Sequence, residues 1–197
     1  MVRRKKTSKK RSCRAGSPAQ TALRSSIGVD VYEHRLGLKP ILRRIWAAKG
    51  ERPIATVHHR YKWLYLYAFA NPETGQSVFY ILPHVDSESL SCVLENLAHD
   101  LSASKDHAVL LVLDQAGWHT SDKLRVPEGV ELVFLPSYSP ELQPAERLWN
   151  LTDEPLVNRT FDTLDDLQAV LSRRCAYLRT QPDLISQHTL FHWWPLV

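Results

Sequence analysis

No two cysteines stand at Cys-x-x-Cys spacing. Cys13, Cys92 and Cys175 are scattered through 197 residues, which excludes a zinc ribbon and a disulfide framework and leaves reduced thiols. No run is long and apolar enough to cross a bilayer, and the basic N-terminus is not followed by the apolar segment of a secretory signal, so a cytoplasmic protein is expected. Glycine is scarce, at seven residues, while 44% of the chain is hydrophobic; that composition excludes a low-complexity chain and suits one globular body with a real core.

Acids are missing from residues 1–28, which hold nine of the 25 basic residues and leave 16 to set against 21 acids, so the rest of the chain is about −5. A basic run with so little to bury cannot offset its ordering entropy. Residues 1–28 are therefore expected to be a disordered tail, either gripping phosphate backbones through counterion release or merely solvated, with a folded domain over 29–197.

From Ser26 the pattern becomes that of a folded chain. Val29 and Val31 alternate with Asp30 and Tyr32 as a strand requires. Residues 33–60, rich in polar groups and broken by Gly37, Pro40, Gly50 and Pro53, read as an irregular connection; its Arg35, Lys39, Arg43 and Arg44 either face nucleic acid or form a solvated basic loop. Tyr61 to Ala70 reads as a strand buried on both faces, Asn71 to Gly75 as a turn, and Val78 to Leu82 as its hairpin partner. Asp86 caps a helix whose Leu90, Val93, Leu94, Leu97 and Leu101 share one face. Ala108 to Leu113 is a short aliphatic run of the buried parallel kind, followed by a loop with a short helix over 115–126, a second buried strand over 130–135 and a rigid connection over 136–140. Pro144 starts a helix, with Gln143 as its cap, and Thr163 caps a last amphipathic one. Strands joined first by hairpin-like turns and then by crossovers imply an α/β fold, a mixed five-stranded sheet with helices on both faces.

Two carboxylates stand out in that order. Asp114 follows the aliphatic run directly, where open α/β sheets gather their chemistry, and Glu146 falls in the first turn of the Pro144 helix, where the helix dipole favours its ionised form. Two acids so placed suggest a metal site.

The segments LDQAGWHTS and LPSYSPELQPAERLW, together with EHRLGLKPILRRIWAAKGERP, resemble the DDE catalytic domain of mariner-like transposases, specifically the bacterial insertion-sequence-630 branch. The resemblance runs from about Val29 to Pro195 and implies a ribonuclease H-like fold. It maps Asp114 onto the second catalytic Asp and Glu146, 32 positions later, onto the catalytic Glu. The activity implied is phosphodiester cleavage and strand transfer in DNA transposition, supported by two Mg2+ or Mn2+ ions held by carboxylates. The partners implied are double-stranded DNA, both element ends and target, and a second copy in a homodimer, in a bacterial cytoplasm and on the nucleoid when bound. His119 matches a histidine common after the Asp loop; it positions DNA or a carboxylate, or else caps or packs.

The chain departs from the family pattern at two places. The position of the first catalytic Asp holds Tyr32, whose phenol, with an ordinary pKa of about 10, is no metal ligand at neutral pH. Asp30 lies on the same strand face one pleat earlier, roughly 7 Å away, and replaces it only if the strand shifts or bulges; Glu33 points to the other face. The helix-turn-helix region expected before such a domain has no counterpart in residues 1–28, as in a truncated, frameshifted or compact variant. Three functions stay open: a transposase catalytic domain, active or degenerate; a non-catalytic DNA-binding remnant; and another ribonuclease H-like nuclease such as a junction resolvase.

Overall fold

The computed structural model describes residues 25–52, 54 and 60–194. Five strands form one mixed sheet in the order β3-β2-β1-β4-β5: β1 is Ser25–Gly37, β2 Trp63–Ala70, β3 Ser77–Leu82, β4 His107–Leu113 and β5 Val130–Phe134. β1 to β3 are joined antiparallel, whereas β1, β4 and β5 run parallel. This is the mixed five-stranded α/β sheet expected from the order of elements.

Strand alternation divides the core between two layers. Val29 and Val31 of β1, Tyr67 and Phe69 of β2, and Val109, Leu111 and Leu113 of β4 meet α1 (Ser87–Asp100) through Leu90, Val93, Leu94 and Leu97. Burying each of those leucines contributes roughly 2 kcal/mol. The Asp86 carboxylate accepts from the Ser89 amide at 2.7 Å and starts the helix where expected. On the opposite face, Leu36, Leu64 and Leu66 pack against α3 (Leu164–Arg179), while Ala68 and Ala70 make room for the turn at Ala145, for Leu148 of α2 (Leu148–Asp153) and for Ile185 of α4 (Pro182–Thr189).

Several expectations are corrected. β1 begins at Ser25, inside the segment assigned to the tail, and continues to Gly37, well into the stretch read as irregular. Its second half is stabilised by the ladder to β2, from Asp30↔Ala70 to Gly37↔Trp63, which tolerates Glu33 and Arg35 on a strand of mixed polarity. The remaining tail, 1–24, lies outside the described residues. Tyr61 precedes β2 and is exposed. β5 is an edge strand with Val133 44% and Phe134 41% exposed, because no strand among the described residues pairs beyond it. Residues 115–126 hold turns in place of a helix, and 136–140 contains a turn with Tyr138 at φ 60°. Pro144 opens a 3-10 turn, Pro144–Arg147, that leads into α2; α4, started by Pro182, escaped the sequence reading. Among the described residues no helix is long and apolar enough to cross a membrane.

The two described thiols differ in a way that labelling can read. Cys92 is exposed on α1, whereas Cys175 is buried on α3 and its pKa is pushed by burial up to about 12. A maleimide is expected to label Cys92 within minutes in native protein and Cys175 only as the protein unfolds. Equal labelling of both, followed by mass spectrometry of their peptides, would contradict the packing of α3.

Candidate active site

β1 and β4 are parallel neighbours, paired as far as Asp30↔Val112. Continuing that register by two residues sets Tyr32 level with Asp114, just past the end of β4. Tyr32 shares the face of Asp30 that looks toward the Pro144–Arg147 turn and α2, and its ring lies 5.6 Å from that of Trp149. The Tyr32 hydroxyl has its pKa raised by partial burial first, then by the charges of Glu146, Asp114 and Glu33. Those three acids come from β1, the end of β4 and the turn before α2, with Glu33 on the opposite face of β1 from the tyrosine. Two of them, Asp114 and Glu146, are the pair singled out in the sequence.

Each acid has its own environment. Asp114 is half exposed; its Oδ1 accepts from the Ala116 amide at 3.0 Å and faces His119 Nδ1 at 2.7 Å. The histidine hydrogen bond, joined by the Ala116 amide and opposed by desolvation, holds its carboxyl below the usual carboxylate range. Glu146 behaves differently from the expectation based on a helix dipole. Its turn is a four-residue 3-10 helix without a side-chain cap, and partial burial dominates, raising its pKa. A desolvated carboxylate of this kind gains more from an arriving cation than from a weak turn dipole.

Asp30 is fully buried. Its Oδ2 accepts from the Ala145 amide at 2.6 Å, while its Oδ1 has no hydrogen-bond partner among the described residues. Burial raises its pKa well above the ordinary value against the pull of that amide, and the charges of Asp114 and Glu146 add to the rise. The antiparallel ladder to β2 runs unbroken through Asp30, Val31 and Tyr32, so the strand has neither a shift nor a bulge between the two positions. In this geometry Asp30 anchors the amide next to Glu146.

His119, 1% exposed in its side chain, lies between two acids: Nε2 is 2.7 Å from Glu33 Oε1 and Nδ1 is 2.7 Å from Asp114 Oδ1. Burial works to lower its pKa, but the hydrogen bonds and charges of the two carboxylates outweigh it and raise the value to about 9. Both ring nitrogens therefore carry protons at neutral pH, and each donates to an acid. Trp118 Nε1 donates to the same Glu33 oxygen at 3.3 Å.

Sequence reasoning noticed that Glu33 points away from Tyr32 but missed its partner. It also missed His34, which is 2.9 Å from buried Asp153 and stacks on Trp149 at 4.6 Å. Alternation from Tyr32 to His34 was the available signal for that face. The basic candidates Arg35, Lys39, Arg43 and Arg44 lie along the end of β1 and the exposed stretch after it, outside the group of acids. Arg35 stacks over Trp63 at 4.6 Å, and the Asn158 side chain grips the backbone of Arg43, its Oδ1 accepting from the Arg43 amide and its Nδ2 donating to the Arg43 carbonyl. In the same stretch Leu42, Ile45 and Trp46 are exposed, Trp46 completely.

Among the described residues no three His, Cys, Asp or Glu side chains are gathered tightly enough to enclose a metal ion by themselves. The donor chemistry nonetheless fits a divalent cation: Glu146 is partly desolvated, only one oxygen of Asp114 is engaged in hydrogen bonds, and all the donors are the hard oxygens that Mg2+ and Mn2+ prefer.

Residues 33–168 match the DDE superfamily endonucleases, and the chain belongs to that family. The match begins immediately after Tyr32. An uncharacterized protein of Sinorhizobium fredii, y4pE/y4sA, is 42% identical over 109 residues, which is 53% of this chain and 77% of that protein. Among solved structures, the Mos1 mariner paired end complex with Mn superposes with a TM-score of 0.56 at 17% identity, over 83% of this chain and 56% of that one. The Mos1 strand transfer complex gives 0.52 at 16% identity, over 86% and 56%. The fold is thus ribonuclease H-like, that of the Mos1 transposase, and the chain spans little more than half the length of those transposase chains.

Proposed function

We propose that the chain is a transposase catalytic domain of the insertion-sequence-630 type, built for metal-dependent DNA strand cleavage and strand transfer and impaired at one ligand. Asp114 and Glu146 are the metal ligands in this reading, Tyr32 occupies the place of the third, and Asp30 is a support beneath them. The observation that carries it is that Asp114 lies just past the end of β4, which is β1's parallel neighbour, while Glu146 sits in the turn packed on the Tyr32 face of β1, and the charges of both raise the pKa of the Tyr32 hydroxyl. When bound, Mg2+ or Mn2+ would activate an attacking water or 3′-hydroxyl and stabilise the leaving oxygen. The chain's own residues do the remainder: His119 holds Asp114, and Ala145 is tied to Asp30 so that the Glu146 turn sits against the sheet.

Double-stranded DNA is the partner in this proposal, element ends and target alike, with a second copy completing a homodimer. The exposed basic stretch from Arg35 to Arg52 supplies phosphate contacts. Lys39→Ser combined with Arg44→Ser is expected to reduce the slope of log affinity against log salt by roughly 2 on any duplex sequence, measured by fluorescence anisotropy. An unchanged slope would remove that stretch from the interface.

Tyr32 favours a second reading, a DNA-binding remnant that no longer cleaves. The two are separated by incubating supercoiled plasmid with Mn2+ and the protein or its Tyr32→Asp variant. Nicking by the variant that disappears when Asp114→Asn is added supports the transposase reading. DNA binding without cleavage by either protein leaves the remnant and overturns the first.

A further inference from the structure

Glu33 and His119 are 86 residues apart in sequence and meet on the face of β1 turned away from Tyr32. Their side chains are 6% and 1% exposed. Enclosing two such groups costs several kcal/mol that an apolar pair of similar size would not, so a clip serving only to hold the loop after β4 would be better made of leucines. What an apolar clip cannot supply is direction. His119 Nδ1 and the Ala116 amide both address Oδ1 of Asp114, at 2.7 Å and 3.0 Å, and Oδ2 is left out of that pattern. The ring is fixed in turn: its backbone amide donates to the Ala116 carbonyl at 2.9 Å, and its Nε2 donates to Glu33, which Trp118 also holds.

We propose that Glu33 and His119 are positioning residues that orient the Asp114 carboxylate, committing Oδ1 to the protein and presenting Oδ2 to a divalent cation. This rests on the reading of Asp114 as a metal ligand. Glu33 then acts through His119, without itself touching metal or DNA, and the acid beside the first-ligand position serves the second ligand from behind. Carboxylate–histidine pairs that steady a ligand in this way change metal affinity by roughly 10–100-fold when broken.

The test is Mn2+ binding to the full chain, followed by the electron paramagnetic resonance of free Mn2+ at a temperature where circular dichroism shows every variant folded. Through charge alone, His119→Phe would tighten cation binding, since it removes a group competing for Asp114. Positioning requires the opposite, an affinity roughly 10-fold or more weaker. Glu33→Gln, which keeps an oxygen facing Nε2 and disturbs the packing least, should weaken binding in the same direction, and should have no effect once Asp114→Asn is present. Mn2+ affinity equal to wild type in both single variants, or tightened in His119→Phe, overturns the proposal while leaving Asp114 as a ligand. Wild type binding no better than Asp114→Asn overturns the proposed metal site itself, and the positioning role falls with it.

Discussion

Tyr32→Asp should raise Mn2+-dependent nicking of supercoiled plasmid by about three orders of magnitude over the parent chain. Position 32 lies two residues past the last rung of the parallel ladder, as Asp114 does on the neighbouring strand, and the charges of Asp114, Glu146 and Glu33 already act on it. A third carboxylate there would complete an oxygen cage for a cation whose charge stabilisation is worth several kcal/mol in the transition state, and each ~1.4 kcal/mol is a factor of ten in rate. The gain must depend on metal, because without a cation the new acid repels its neighbours and lowers stability. Tyr32→Asn, similar in size to the aspartate and uncharged, should give no nicking above the parent. Asp30 offers no shortcut: its Oδ2 is tied to the Ala145 amide and burial keeps its carboxyl far above the usual range, so Asp30→Asn should leave the Tyr32→Asp rate within about tenfold. A Tyr32→Asp protein that is folded, binds Mn2+ and still nicks no faster than the parent would overturn the transposase reading and leave the DNA-binding remnant.

The parts of this molecule legible in its sequence were those set by local periodicity. Val29 and Val31 alternate on β1, Leu90 to Leu97 repeat along α1, and Asp86 and Thr163 cap their helices through 2.7 Å and 3.1 Å hydrogen bonds three residues away. Asp114 was legible because a short aliphatic strand ends there. What the local pattern cannot carry is pairing. β1 extends to Gly37 because β2 offers it a ladder, and β5 is half exposed because no strand among the described residues pairs on its far side. The environment of Asp30 is decided by an amide 115 residues later, and that of His119 by an acid 86 residues earlier. The ionised helix-start environment expected for Glu146 failed for a related reason: the Ser-Pro-Glu-Leu-Gln-Pro segment closes as short 3-10 turns against the sheet, so burial there outweighs the dipole.

His119→Ala should cost about 3–5 kcal/mol of folding stability at pH 7, because it leaves Glu33 buried with only the Trp118 indole to accept from. Replacing Glu33 and His119 together by leucine should recover most of that loss, since an apolar pair fills the space without enclosing a charge. The pair also gives stability a pH dependence of predictable sign. The folded pKa of His119 is raised to about 9, above its ordinary value near 6.5. The histidine's contribution is therefore fully present below about pH 6.5 and is lost as pH rises through about 9. Asp114 works in the opposite direction at the acid end: its lowered pKa makes its contribution present above the ordinary carboxylate value and lost as pH falls. Urea midpoints at pH 6, 7.5 and 9.5 should thus fall steadily for the wild type and stay level for the double-leucine protein. A double variant as unstable as His119→Ala, or a wild type whose midpoint does not change over that range, would mean that the two short contacts to His119 are not the charge-assisted bonds their geometry describes.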